Sequence, residues 1–193
     1  MTGETVQIAL KVIGILEELA IPYHVGGSFA SSVHGFPRQT RDLDLVVDLP
    51  ASAVPDLVSR LEGEFYLDAE RMRQAIRRGS SFNLVHLTTG FKVDVFISGR
   101  EAFDRTELSR AALQRLTEDS PRDVLVKSPE DTVLRKLQWY RLGGETSDRQ
   151  WTDILGIIRT QGDRLDLGYL RHWAGTLEVD DLLERVLADL KGT

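Results

Sequence analysis

Gly26-Gly27-Ser28, followed by Arg41-Asp42-Leu43-Asp44-Leu45-Val46-Val47, is the stretch on which the reading of this chain turns. The second run is rich in Leu and Val and closes at Asp48 and Pro50, which predicts a β-strand. Strand side chains alternate between faces, so Asp42 and Asp44 point the same way, about 7 Å apart, while Leu43 and Leu45 point into a core. Phe91-Lys92-Val93-Asp94-Val95-Phe96-Ile97 predicts a second strand carrying one acidic residue, Asp94. If the two strands are neighbours, three carboxylates converge. Left without a counter-ion, such charges repel and raise one another's pKa. A pair of divalent cations removes that conflict.

Upstream, Tyr23-His24-Val25 reads as a short strand that runs into Gly26 and Gly27, and Ser28 to His34 reads as the helix that follows. Backbone N–H groups at such a strand-to-helix turn can cradle phosphate oxygens, and the helix N-terminus adds partial positive charge. A Cβ at either glycine would hinder close approach. Gly26, Gly27 and Ser28 are therefore candidate nucleotide-phosphate contacts; the plainer alternative is a tight turn with a serine cap. Asp42, Asp44 and Asp94 are candidate ligands for Mg²⁺ or Mn²⁺, hard cations that favour carboxylate oxygen. The competing reading of Asp42 and Asp44 is a solvated acidic strand face.

Along the rest of the chain, apolar spacing predicts helices from Val6 to Leu19, Val54 to Leu61 and Glu70 to Arg78. Phe82–Leu87 and Phe91–Ile97 flank Thr88-Thr89-Gly90 as a hairpin. Short strands are expected at 113–116 and 123–126, and the stretch after Gly99 has mixed character. Ser128 with Pro129 behind it predicts a helix start, and the helix runs to Leu142 before Gly143-Gly144. Further helices are expected from Ser147 or Asp148 to Arg159, from Leu167 to Ala174 and from Val179 to Leu190. The expected class is α/β (α+β): a mixed sheet flanked by helices over residues 1–127, then a small helical bundle over 128–193.

Composition narrows the possibilities. The chain has 193 residues, 41% of them hydrophobic, a formal net charge of −6 and no cysteine. It can bury a core, and it has neither disulfides nor zinc–thiolate sites. No apolar run is long enough to span a membrane, and no signal-peptide pattern opens the chain, so a cytoplasmic protein is expected. An acidic balance argues against bulk duplex binding through a basic surface, though a local basic groove can still hold RNA.

The ordered set Gly26-Gly27-Ser28-Phe29-Ala30, His34-Gly35, Arg38-x-Thr40-x-Asp42-Leu43-Asp44, Asp94 and Ser128-Pro129-Glu130-Asp131, leading to Lys136 and Asp153, resembles the nucleotidyltransferase superfamily. Within it, the set is most similar to the AbiEii-like branch, which includes toxins of toxin–antitoxin pairs. The resemblance covers residues from about 7 to 160. It implies a Mg²⁺-dependent transfer of NMP from an NTP to an acceptor hydroxyl. One ion would be held mainly by Asp42 and Asp44, and a second would also touch Asp94, which alternatively serves as general base. It implies that Lys136 reaches the triphosphate. An RNA acceptor and an antitoxin-type protein partner follow from the same branch. A small-molecule (antibiotic-type) or protein nucleotidyltransferase, and an inactive nucleotide-binding module, are the alternatives.

The remaining charged residues are less decisive. Lys136 lies off the centre of its helix's apolar face, so a solvated role and a functional one both stand. Asp153 is expected to pair with a basic residue, and Arg149 to act likewise, although Gln150 departs from the family pattern there. Arg38 and Arg41 flank the acidic strand, either contacting phosphates or neutralising carboxylates. His34 reads as a packed helix residue. Arg71, Arg73, Arg77 and Arg78 form a dense basic helix, read first as a solvated face and otherwise as a seat for an acceptor's phosphates.

Overall fold

The computed structural model describes residues 3–40 and 42–191, so Arg41 lies outside the described residues. Its strands are β1 (Tyr23–Val25), β2 (Asp42–Val47), β3 (Phe65–Tyr66), β4 (Ser81–His86), β5 (Lys92–Ile97), β6 (Ala112–Arg115) and β7 (Asp123–Val126). They form one mixed sheet in the order β3-β4-β5-β2-β1-β7-β6. Strand β2 pairs parallel with β5 and antiparallel with β1, while β4 and β5 form the expected antiparallel hairpin.

Alternation assigns the two faces of this sheet. Leu43, Leu45 and Val47 of β2, Val93 and Val95 of β5, and Phe82 and Leu84 of β4 are buried on one face. The helices α1 (Gly3–Glu18), α3 (Val54–Leu61) and α4 (Ala69–Arg78) pack in succession, with α4 against β4. Asp42, Asp44, Lys92, Asp94 and Asn83 fall on the opposite face by the same alternation. Helix α2 (Gly27–His34) follows β1 directly.

Two elements of this unit were not legible beforehand. Strand β3 has only two residues, too short for any periodicity to declare it. The mixed stretch after Gly99 contains helix α5 (Ala102–Ser109), started by a reciprocal capping box between Glu101 and Asp104. On α5, Glu107 is buried and its carboxylate lies 4.0 Å from Nε2 of the buried His24 on β1.

The chain divides into two compact units, Met1–Phe29 with Gln39–Val126 and Ala30–Arg38 with Lys127–Thr193. The second unit takes in Ala30–Arg38 as well as the C-terminal helices. That unit holds α6 (Pro129–Leu142), α7 (Asp148–Gln161), α8 (Leu167–Thr176) and α9 (Asp180–Lys191). Its core contains Val133, Leu134, Leu137, Ile154, Ile157, Leu170 and Leu182. Gly35 is required by close approach: a Cβ there would lie 2.8 Å from the backbone nitrogen of Ile157.

Ser-Pro-Glu-Asp acts here as a structural knot. Ser128 Oγ accepts from the Asp131 N–H and donates to Asp131 Oδ2. Tyr169 Oη donates to Asp131 Oδ1 at 2.6 Å, and the Glu130 carboxylate accepts from the Asp166 N–H. Four residues thereby start α6 and anchor the beginning of α8.

His34 is a packed residue, as expected: its Nε2–H donates to the Lys127 carbonyl at 2.7 Å in a buried setting. Burial pushes its pKa below the ordinary 6.5, more strongly than the carbonyl bond raises it. The unfolded chain therefore takes up a proton that the folded chain resists. Stability should be full above about pH 6.5 and should decline as pH falls below it. Thermal melts of wild type and His34→Gln across that range check this, the variant losing stability less steeply on acidification.

Candidate active site

Register brings the three aspartates together. Asp44 is directly opposite Asp94 across the β2–β5 pair, and Asp42 is opposite Lys92. Neighbouring strands are about 4.8 Å apart, so Asp44 and Asp94 project side by side. On the far side of β5, Asn83 is opposite Asp94. Thr40 Oγ1 donates to the Asp42 carbonyl at 2.8 Å and lies 3.2 Å from Asp42 Oδ1, which fixes the start of β2.

The turn between β1 and α2 is set on Asp44. Gly26 N–H donates to the Asp44 carbonyl at 2.9 Å. Gly27 has φ +55°, and a Cβ there would stand 1.8 Å from Asp44 Oδ2. Both its conformation and its closeness to the carboxylate demand glycine. Ser28, in the first turn of α2, follows at once. The glycine pair therefore fits beside the second aspartate of the Asp-x-Asp pair, a relation that sequence spacing does not reveal.

Lys92 completes this face, and it was missed in the sequence. Its Nζ lies 2.8 Å from Asp94 Oδ2. The hydrogen bond to Asp94, together with the fields of Asp94, Asp42 and Asp44, raises the lysine pKa despite partial burial. The available signal was alternation: two positions before Asp94, Lys92 must share its face. Among the described residues, no group of three or more acidic or imidazole side chains is drawn together tightly enough to hold a metal ion. The donor chemistry still fits a hard divalent cation, since Asp42, Asp44 and Asp94 offer only carboxylate oxygens on one sheet face.

Lys136 belongs to the second unit, where it is buried with only 9% of its side chain exposed. It donates to Asp153 Oδ2 at 2.9 Å and to Gln150 Oε1 at 3.0 Å. Arg38 Nε and Nη2 bind the same carboxylate at 3.1 and 3.0 Å. Asp153 thus pairs with two cations. Burial alone would raise its pKa, but the hydrogen bonds from Arg38 and Lys136 outweigh that and hold the carboxyl below its usual range. Gln150, the departure from the family pattern, supplies a neutral acceptor to Lys136. Arg149 is exposed.

Comparison with solved structures assigns the architecture. The antibiotic-resistance factor ANT(2″)-Ia, determined in solution, matches over 100% of this chain and 97% of its own, with TM-score 0.54 and 15% identity. Its crystal structure with adenylyl-2″-tobramycin matches over 91% and 97%, with TM-score 0.57 and 12% identity. An antigenic nucleotidyltransferase-like protein from Paracoccidioides brasiliensis matches over 97% and 94%, with TM-score 0.51 and 16% identity. This chain has the nucleotidyltransferase fold. No protein-family model and no curated protein matches the sequence.

Two substitutions probe these clusters. Lys92→Met leaves three carboxylates without their ammonium, so the protein without divalent ions should lose up to about 1 kcal/mol, or roughly 2–4 °C in Tm. Added Mn²⁺ should then raise Tm more in the variant than in wild type, as differential scanning fluorimetry would read. In the second unit, Asp153→Ala removes the carboxylate shared by the buried Lys136 and Arg38 and should cost about 3–5 kcal/mol. Lys136→Met with Asp153→Leu should recover most of that loss in urea unfolding.

Proposed function

We propose that this chain is a nucleotidyltransferase that moves NMP from an NTP to an acceptor hydroxyl. The observation that carries the reading is the register of Asp44 against Asp94, with the Gly26-Gly27 turn seated on Asp44. In the reaction the acceptor oxygen bonds to the α-phosphorus, the α–β phosphoanhydride bond breaks, and pyrophosphate leaves. The Gly27–Ser28 start of α2 supplies backbone N–H groups and a hydroxyl to the triphosphate. Asp42 and Asp44 would hold a nucleotide-bearing Mg²⁺ or Mn²⁺, and Asp94 would share a second ion or take the acceptor's proton. The cations would supply Lewis-acid stabilisation of the charge that builds on the phosphoryl oxygens. In the absence of nucleotide, Lys92 neutralises part of the carboxylate charge, and it gives up Asp94 when the acceptor arrives.

The sequence resemblance to AbiEii-like toxins supports RNA as the acceptor, a cytoplasmic setting and an antitoxin-type partner. A second reading is an antibiotic nucleotidyltransferase. It is favoured by the likeness in fold to ANT(2″)-Ia, which was crystallised with adenylyl-2″-tobramycin.

Purified protein given Mg²⁺, each radiolabelled NTP in turn and total RNA should transfer label to RNA, with one NTP preferred. Asp42→Ala and Asp44→Ala should abolish Mn²⁺-dependent binding of a non-hydrolysable NTP in calorimetry. Ser28→Ala should weaken that binding by about 1 kcal/mol. Equal NTP affinity in wild type and both aspartate variants sinks the site assignment. Label on an aminoglycoside and never on RNA selects the second reading.

A further inference from the structure

The sheet has an incomplete edge beside the carboxylates. Strand β3 pairs only with Val85 and His86, so along Ser81–Asn83 strand β4 has no partner strand on its outer side among the described residues. Helix α4 lies along this gap. Arg71, Gln74, Ala75 and Arg78 recur at helical spacing and face it, and with Tyr66, Ser81 and Asn83 they line a cavity of about 280 Å³. Asn83 is the neighbour of Asp94 across the β4–β5 pair, so this cavity adjoins the proposed reaction centre within the same unit.

Its charge is specific. Of the four arginines on α4, Arg73 and Arg77 are directed to Glu70, at 3.9 and 2.9 Å. Arg71 and Arg78 line the cavity. Arg78 is exposed and has no ion-pair partner among the described residues. Arg71 is 72% exposed and pairs with Asp68 at 3.6 Å, a carboxylate that also lines the cavity. Asp68 is itself engaged as the helix cap, accepting from the N–H groups of Glu70 and Arg71. Tyr66 adds an aromatic ring that is 57% exposed on the same sheet face as Asn83.

We propose that this cavity is the acceptor subsite and takes the last nucleotide of a single-stranded RNA, with its phosphate on Arg71 and Arg78 and its base on Tyr66. The inference rests on the transfer reading above and names its acceptor. Guanidinium groups bind phosphate through paired N–H donors, and an exposed tyrosine is a stacking platform for a base of any sequence. The same guanidinium groups repel a polycationic aminoglycoside. With a net charge of −6 overall, the local basic stripe suits an RNA end better than a long duplex.

The test is anisotropy of a short 5′-labelled single-stranded RNA with the full chain, without metal or NTP. Arg71→Glu with Arg78→Glu should weaken binding about tenfold or more and make the salt slope shallower by about 0.7, the value for one phosphate. Arg78→Gln should give a smaller loss in the same direction, and Tyr66→Ala about a tenfold loss. Unchanged RNA affinity in these variants overturns the proposal. So does displacement of the RNA by tobramycin. Calorimetry of Mn²⁺ with a non-hydrolysable NTP on the same variants separates the two claims. Normal NTP binding with lost RNA binding supports the subsite, whereas absent NTP binding in wild type defeats the transfer reading and leaves the RNA result to stand or fall alone.

Discussion

Like charges in register are the constraint around which the first unit is organised. Asp44 and Asp94 face each other on paired parallel strands, an arrangement that costs energy unless something positive intervenes. The chain supplies Lys92, whose ammonium sits on Asp94 and feels all three carboxylates. The other face of the same strands is wholly apolar, which holds the register against slippage, since a shift by one residue would bury the aspartates. The hydrophobic core thus keeps an electrostatically unfavourable face in place. Local cost held by global packing is the pattern expected of a site rather than of a surface.

The glycines serve that same constraint. Gly27 is not simply permissive in a turn; it leaves the space that Asp44 fills. A side chain there would displace the carboxylate, the α2 N-terminus or both. The glycine turn and the Asp-x-Asp pair thus meet at Asp44.

The second unit adds buried polar networks to its apolar core. The Arg38–Asp153–Lys136 cluster and the Ser128–Asp131–Tyr169 knot are each well hydrogen-bonded. Such networks add little net stability relative to apolar packing, but breaking one partner is costly. Residues that resemble a family motif in sequence here have structural work as helix starts and ion pairs within their own unit. The motif letters alone do not separate that work from chemistry.

Much of this protein was determined by the sequence alone. Period-two alternation in Asp42–Val47 and Lys92–Ile97 settled the strands and the shared face of Asp42 and Asp44, because a pleat leaves no other arrangement. Ser128-Pro129 settled the start of α6, since an oxygen acceptor and a fixed φ favour that position locally. What local rules cannot reach was decided by tertiary structure. Strand pairing placed Asp94 beside Asp44, Lys92 on Asp94 and Asn83 opposite Asp94. Packing buried Lys136, which its helix position left open, because only the fold brings Asp153 and Gln150 to it. A two-residue strand left room for α4's arginines at the sheet edge, and a gap of that kind is a property of neighbours that no single segment encodes.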